Sequence, residues 1–542
     1  MRKRSQSRWN KVRKKKILCL LLCILLLYGC NQINDTSAET VTLWVVTEVS
    51  KTDGMNYQAE MIAEQFEKEH ENVSVKLEIL PTEEEERERY LKQLRTKIMA
   101  GKGPDVYLLP TGNTLTTDLP SNSSQKRETL EYSIVPLFSD VAQAMYNGIF
   151  ADISQYYNED TELQIETLNQ DVMNAGVIDG ERYVLPIRYD MPVLLTDSKA
   201  NETITDDGIE SLVKTALDEN NLMMAIGLRM PADASLLPTL FDYKKGEILI
   251  TKQEIADYMR MYQAWYVMAA IPSQNLVTQF EDNYYKALVE SGEVPGLTED
   301  QIREMFPIDF SLESYVSLMD HINLGSHWSE NGFPLYSSSL SGALYQAAIS
   351  KVTGKELEAH PLRTMDGSVV AEITYYGAVG SGTQNPELAY SFLREFLTEE
   401  YQWDILRPQT DRSEDTLFYL ANEIQNDGLV EDSWPVRTKG ATQYLWKNLQ
   451  YQLYEDSSSF YRESRKLHKS LKGKNTVLTD QDMLFLNDAI AEVRFPINQE
   501  YEETLEYALS LLNNKDGTPT DVDIDDLAET VYQNLWWYLA EG

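Results

Sequence analysis

From Val41 onward the apolar positions keep changing period. Val41–Thr47 (V-T-L-W-V-V-T) is a β-rich apolar run. After a loop through Asp53-Gly54, residues Met55, Ala59, Ile62 and Phe66 recur at helical spacing with charges between them. Val73, Val75, Leu77 and Ile79 alternate with Ser74, Lys76 and Glu78, the period of a strand. Leu91, Leu94 and Ile98 mark a second helix ended by Gly101, and Asp105–Leu109 is a short third strand. This βαβαβ order predicts a parallel sheet with right-handed crossovers and a ligand edge at the carboxyl ends of its strands.

Further along, residues 111–134 are polar and turn-rich, which predicts an exposed excursion. Asn385-Pro386-Glu387 has the N-cap, N1 proline and first-turn acid of a helix start, and Ala389, Phe392, Leu393, Phe396 and Leu397 complete its apolar face. Leu527, Val531, Leu535 and Leu539 recur at steps of four near the C-terminus, and residues 440–512 are rich in aromatic and helical signals. The second half therefore reads as mainly helical, with no internal repeat.

A chain of 542 residues with 42% hydrophobic content can fill two to four domains. Its net charge of −38 conceals a leader: the first 29 residues hold nine basic side chains and no acid, so removing those cations leaves −47. Such a surface repels phosphate backbones and disfavours nucleic acid as a partner. All 3 cysteines (Cys19, Cys23, Cys30) lie in the first 30 residues, which excludes a disulfide, a Cys metal site or a thiol nucleophile from the body. The 5 histidines are scattered, and His321 and His327 lack the spacing of a zincin pair. No metal or other cofactor is expected. Asp521-x-Asp523-x-Asp525-Asp526 lacks the glycine at position six and the glutamate at position twelve of a calcium loop, where Tyr532 falls, so it reads as a helix start.

Residues 1–16 form a cationic segment, and Ile17 to Tyr28 an apolar run too short to span a bilayer. Leu27-Tyr28-Gly29-Cys30 followed by a polar stretch resembles a bacterial lipobox, although Tyr28 stands where a small or aliphatic residue is usual. That resemblance implies a signal peptide over 1–29, a polar tether over 30–40, lipidation of Cys30 with palmitate or a similar acyl chain, and a body held at the extracytoplasmic face of the cell membrane.

Behind the lipobox come Leu43-Trp44, Phe66-Glu67-Lys68, the alternating strand and Ala100-Gly101-Lys102-Gly103-Pro104-Asp105-Val106. Phe150-Ala151-Asp152-Ile153, Gly180-Glu181-Arg182-Tyr183-Val184-Leu185-Pro186 and Ala371 to Gly377 follow in order. Together they resemble the family 1 extracellular solute-binding proteins, the maltose-binding-protein type that serves ABC importers. The resemblance covers about 41–200 and 365–405. It implies an α/β fold of two hinge-linked lobes with a largely helical C-terminal part. The N-terminal lobe would take 41–187 plus about 370–425, and the C-terminal lobe 188–369 plus about 426–542. The implied function is non-enzymatic capture of a small solute, a carbohydrate, by a monomer that delivers it to an ABC permease.

In that arrangement the loops after the first and third strands face the cleft, which nominates Glu48, Asp53, Thr111, Gly112 and Asn113. Arg188, Tyr189 and Asp190 interrupt the apolar crossing at 187–192. There Arg188 and Asp190 either pair with each other or line a wet cleft, where they suit vicinal hydroxyls. Trp328 and Tyr336 are candidate aromatic platforms, with Tyr243 behind them. Gly101, Gly103 and Pro104-Asp105 read as turn makers, and Trp44 and Trp265 as core. A secreted glycoside-acting enzyme would need two carboxylates across a cleft, and 86 acidic residues supply many pairs. A peptide binder on the same fold is a further alternative.

Overall fold

The computed structural model describes residues 40–48, 54–81, 83–111, 114–118, 129–133, 135–196, 208–228, 236–268, 298–305, 335–337, 340, 343–344, 347, 358–403, 433–438, 490–496, 499–514 and 518–541. The chain opens as β1 (Val41–Thr47), α1 (Gly54–Glu69), β2 (Val73–Ile79), α2 (Glu84–Met99) and β3 (Val106–Pro110). Both β2 and β3 pair with β1 in parallel, as the βαβαβ pattern requires. Within residues 111–134 lies an antiparallel hairpin, β4 (Thr114–Asp118) with β5 (Thr129–Ser133). Then come α3 (Val141–Tyr146), α4 (Gln170–Asn174), the short hairpin β6 (Val177–Ile178) with β7 (Glu181–Arg182), and β8 (Val184–Asp190).

The chain next enters a second, smaller sheet through β9 (Val193–Thr196). It continues with α5 (Ile209–Asp218), α6 (Leu222–Leu228), the hairpin β10 (Phe241–Asp242) with β11 (Glu247–Ile248), and α7 over 252–268. β12 (Leu335–Ser337) and β13 (Glu358–Pro361) flank β9 in antiparallel pairing. It returns to the first sheet as β14 (Val370–Val379), followed by α8 (Pro386–Arg394), β15 (Trp434–Pro435), β16 (Glu492–Arg494), α9 (Gln499–Ser510) and α10 (Ile524–Glu541).

The large sheet has the order β15-β8-β14-β3-β1-β2, with β16 paired to the start of β14. Its burial explains the sequence pattern. β3 and β8 are covered on both faces and read as continuous apolar runs, whereas β2 at the edge alternates and is half-exposed. β14 lies antiparallel to both β3 and β8, so β8 runs in the same direction as β3 and ends at the same edge. The mixed sheet is thus a parallel β-α-β core against which β14, returning from the second lobe, β15 and β16 run antiparallel. No helix of the described residues is long and apolar enough to cross a membrane.

Local chemistry fixes these strands. Asp105 receives the Trp44 backbone N–H at 2.8 Å and the Thr383 hydroxyl at 2.5 Å, joining β1, β3 and the turn after β14. Trp44 itself is half-buried, with Lys76 and Lys97 about its ring, rather than a fully buried core residue. A Cβ on Gly380 would stand 2.2 Å from the Pro104 carbonyl oxygen, so only glycine permits that approach. Pro386 occupies N1 of α8 as expected, but Asn385 makes no side-chain cap; instead its backbone N–H donates to Thr383. Asp523 accepts from the Asp525 and Asp526 backbone N–H groups, the helix-start role read from the sequence.

Among the described residues three crossings join the lobes. The first runs from Asp190 at the end of β8 to Val193 at the start of β9, the second between Pro361 of β13 and Val370 of β14, and the third between Arg494 of β16 and Gln499 of α9. α9 and α10 belong to the second lobe by their contacts: Arg260 of α7 binds Asp525, Lys252 binds Glu529, and Gln263 donates to the Leu512 carbonyl.

Candidate functional site

At the carboxyl edge of the large sheet, Glu48 directly follows β1. Its carboxylate receives both terminal nitrogens of Arg87 at 2.7 and 2.9 Å, and the two side chains are only 5% and 2% exposed. Arg87, on the inner face of α2, also donates to the carbonyls of Val135 and Pro81. Glu48 therefore ties a helix to a strand end through a fully compensated pair. Thr111 is half-buried and is held by its backbone N–H and hydroxyl to the carbonyls of Thr374 and Ile373.

The crossing residues separate. Arg188, 2% exposed, reaches only the Ser433 carbonyl at 3.3 Å, and its Nε has no hydrogen-bond partner. Tyr189 lies in the core opposite Trp434, and burial raises its phenol well above the usual range. Asp190 turns to the second lobe and receives the backbone N–H groups of Met191 at 2.7 Å and Leu340 at 2.6 Å. No ion pair joins Arg188 to Asp190; a carboxylate two residues along a strand found backbone donors nearer than the guanidinium. Tyr336 sits on β12 opposite Leu194. Asp53, Gly112, Asn113, Trp328 and Cys30 lie outside the described residues. Trp265 is buried and donates its indole N–H to Ala225, the core role expected of it.

A cavity of about 310 Å³ opens between α3 and β6 on the first lobe and the β10–β11 hairpin on the second, with residues 493–496 also lining it. Four aromatic rings line it: Tyr146, Phe241, Tyr243 and Phe495. Tyr243 lies 6.3 Å from Tyr146 across the lobes and 5.5 Å from Phe241, centroid to centroid. Asp140 caps α3, receiving the Gln143 backbone N–H at 2.8 Å, and its second oxygen receives the Tyr243 hydroxyl from the other lobe. Burial pushes the Asp140 carboxyl up to about 6, against the pull of the Gln143 and Ala142 backbone N–H groups. Arg494 in the lining is bound by Glu372 at 2.9 Å and donates to the Leu237 carbonyl at 3.0 Å.

Of the residues nominated from sequence that lie among the described residues, Tyr243 alone lines this cavity. Asp140, Tyr146, Phe241 and Arg494 were missed. Asp140 had a local signal, an N-cap three residues before Gln143, but that signal speaks of a helix start and not of a ligand. The hairpin around Gly246, whose φ is +65°, marks a turn and nothing more.

No family profile matches the chain, and no curated protein does. Among solved structures, it is similar to an extracellular solute-binding protein family 1 member from Alicyclobacillus acidocaldarius at 13% identity, over 93% of this chain and 99% of that one, with a TM-score of 0.42. It is similar to the sugar-binding protein MalE from Xanthomonas citri at 11% identity, over 92% of this chain and 98% of that one, with a TM-score of 0.47. A de novo designed cysteine esterase aligns at 12% identity, over 93% and 99%, with a TM-score of 0.45.

Proposed function

We propose that this chain is a lipid-anchored extracytoplasmic solute-binding protein that captures a carbohydrate between its lobes and delivers it to an ABC permease. The observation that carries this reading is the interlobe cavity: four aromatic rings drawn from both lobes, with two carboxylates and a guanidinium at its margin. Sugars present apolar C–H faces edged by hydroxyls, so flat rings with a few polar groups suit them. Crossings at 190–193, 361–370 and 494–499 join the lobes, and a solute touching both lobes favours the closed arrangement by its differential affinity. Binding rather than turnover is favoured because, among the described residues lining the cavity, Asp242 is tied to Lys245 at 2.7 Å and only Asp140 stands without a cation. Glycoside hydrolysis uses two carboxylates about 5–9.5 Å apart. Cys30 supplies the anchor and a monomer is the working form.

A calorimetric screen of mono- and oligosaccharides tests the reading. A sugar should bind without being cleaved, and Tyr243→Ala should weaken it roughly tenfold, about 1.4 kcal/mol. In cells fed labelled palmitate, Cys30→Ala should remove the label. Cleavage of the sugar, or binding that ignores Tyr243→Ala, would overturn it.

A further inference from the structure

The charges around the cavity are satisfied within the protein, except one. Arg494 has Glu372 at 2.9 Å, Lys245 has Asp242 at 2.7 Å, and Lys244 pairs with Asp179. Among the described residues Asp140 receives only neutral donors, the Gln143 and Ala142 backbone N–H groups and the Tyr243 hydroxyl. A carboxylate withdrawn from water among apolar and aromatic side chains is unfavourable unless a cation joins it. Nothing on the protein supplies that cation among the described residues, and the space that would hold it is the cavity itself.

Resting on the reading of the chain as a carbohydrate binder, we propose that its ligand is an amino sugar, whose ammonium group meets the Asp140 carboxylate while its ring lies among Tyr146, Phe241 and Tyr243. The faces of Tyr146 and Tyr243 add attraction for a cation. The chain's surplus of acidic side chains raises the local concentration of cations and lowers that of uronates. The elevated titration of Asp140 agrees with a buried carboxylate awaiting a positive partner, and leaves it largely ionised at pH 7.

The test is calorimetry at pH 7 on the purified full chain with glucosamine, glucose, N-acetylglucosamine and galacturonate, and with short oligomers of each. The amino sugars should bind about tenfold or more tighter than the neutral ones, and galacturonate weakest. In Asp140→Asn, whose amide oxygen keeps the N-cap acceptor while its NH2 can donate to the Tyr243 oxygen, the preference for amino over neutral sugar should shrink to within about twofold. It should also shrink in the wild type between pH 7 and pH 5. Over that range Tyr146, whose titration is raised by burial, stays neutral, and Asp242, whose titration is lowered by Lys245, stays ionised. Equal binding of amino and neutral sugars, tightest binding of galacturonate, or a preference that survives Asp140→Asn would each overturn the inference and leave carbohydrate capture standing. If none of the sugars binds, both readings fall.

Discussion

Glu48, buried, and Asp140, half-buried, are carboxylates held back from water, and they are handled in opposite ways. Glu48 is gripped by both terminal nitrogens of a buried arginine, so its charge is spent on joining β1 to α2. Asp140 is given neutral donors alone among the described residues, one of them from the other lobe, and is left with an elevated titration. Position in the sequence favoured Glu48 as the binding group, because it follows a parallel strand. Compensation of charge reverses that choice: a carboxylate already holding a guanidinium has little to offer a solute, and one without a cation has much.

The largest effect that tests this contrast is Arg87→Met. It leaves Glu48 buried without its cation and should lower the unfolding free energy by about 3–5 kcal/mol in denaturant titration. A loss below about 1 kcal/mol would mean that the pair is solvated in solution and the contrast is false.

Asp140→Asn should act with the opposite sign. The folded carboxyl titrates at about 6, above its ordinary 3.8, so the folded state holds the proton more tightly than the unfolded chain. Its contribution to stability is therefore full below about pH 4 and is lost as pH rises through 6. The wild type should weaken across that window relative to Asp140→Asn, which ends up to the order of 2–3 kcal/mol more stable at pH 7 without ligand. Melting curves of both proteins from pH 4 to pH 7 check this; parallel curves would sink it.

Why the sequence led to one carboxylate and past the other follows from the range of the signals. Val41–Thr47, the alternation from Val73 to Ile79 and the Gly101–Asp105 turn are local patterns whose meaning is set by neighbours within a few residues, so the first three strands and their parallel order could be read. Asp105 was legible as a turn maker for the same reason. The cavity instead gathers residues near 140–146, 175–178, 239–249 and 493–496. Each segment carries an ordinary local message, such as a cap, a hairpin or a strand end, and only the packing of two lobes turns them into one lining. Tyr189 shows the converse: a phenol in an apolar crossing resembles a cleft residue until β15 is seen to cover it. Arg188 was expected to choose between Asp190 and open solvent, and it has neither.

The smallest effect, and the sharpest probe of the contrast, is Tyr243→Phe. The hydroxyl that is removed donates to Asp140 from the opposite lobe, so it is the one direct hydrogen bond by which this carboxylate feels the second lobe among the described residues. A donor to the ionised form favours ionisation, so its loss should drive the Asp140 carboxyl above 6. The accompanying change in stability at pH 7 should be about 1 kcal/mol or less, because a hydrogen bond in the folded protein replaces one to water. Carboxyl-carbon NMR titration of Asp140 in the two proteins separates these outcomes better than melting does. An upward shift in Tyr243→Phe would establish that the lobes meet at this carboxylate in solution. An unchanged titration would mean that burial by the first lobe alone raises Asp140, and the second lobe would then have no part in leaving its charge uncompensated.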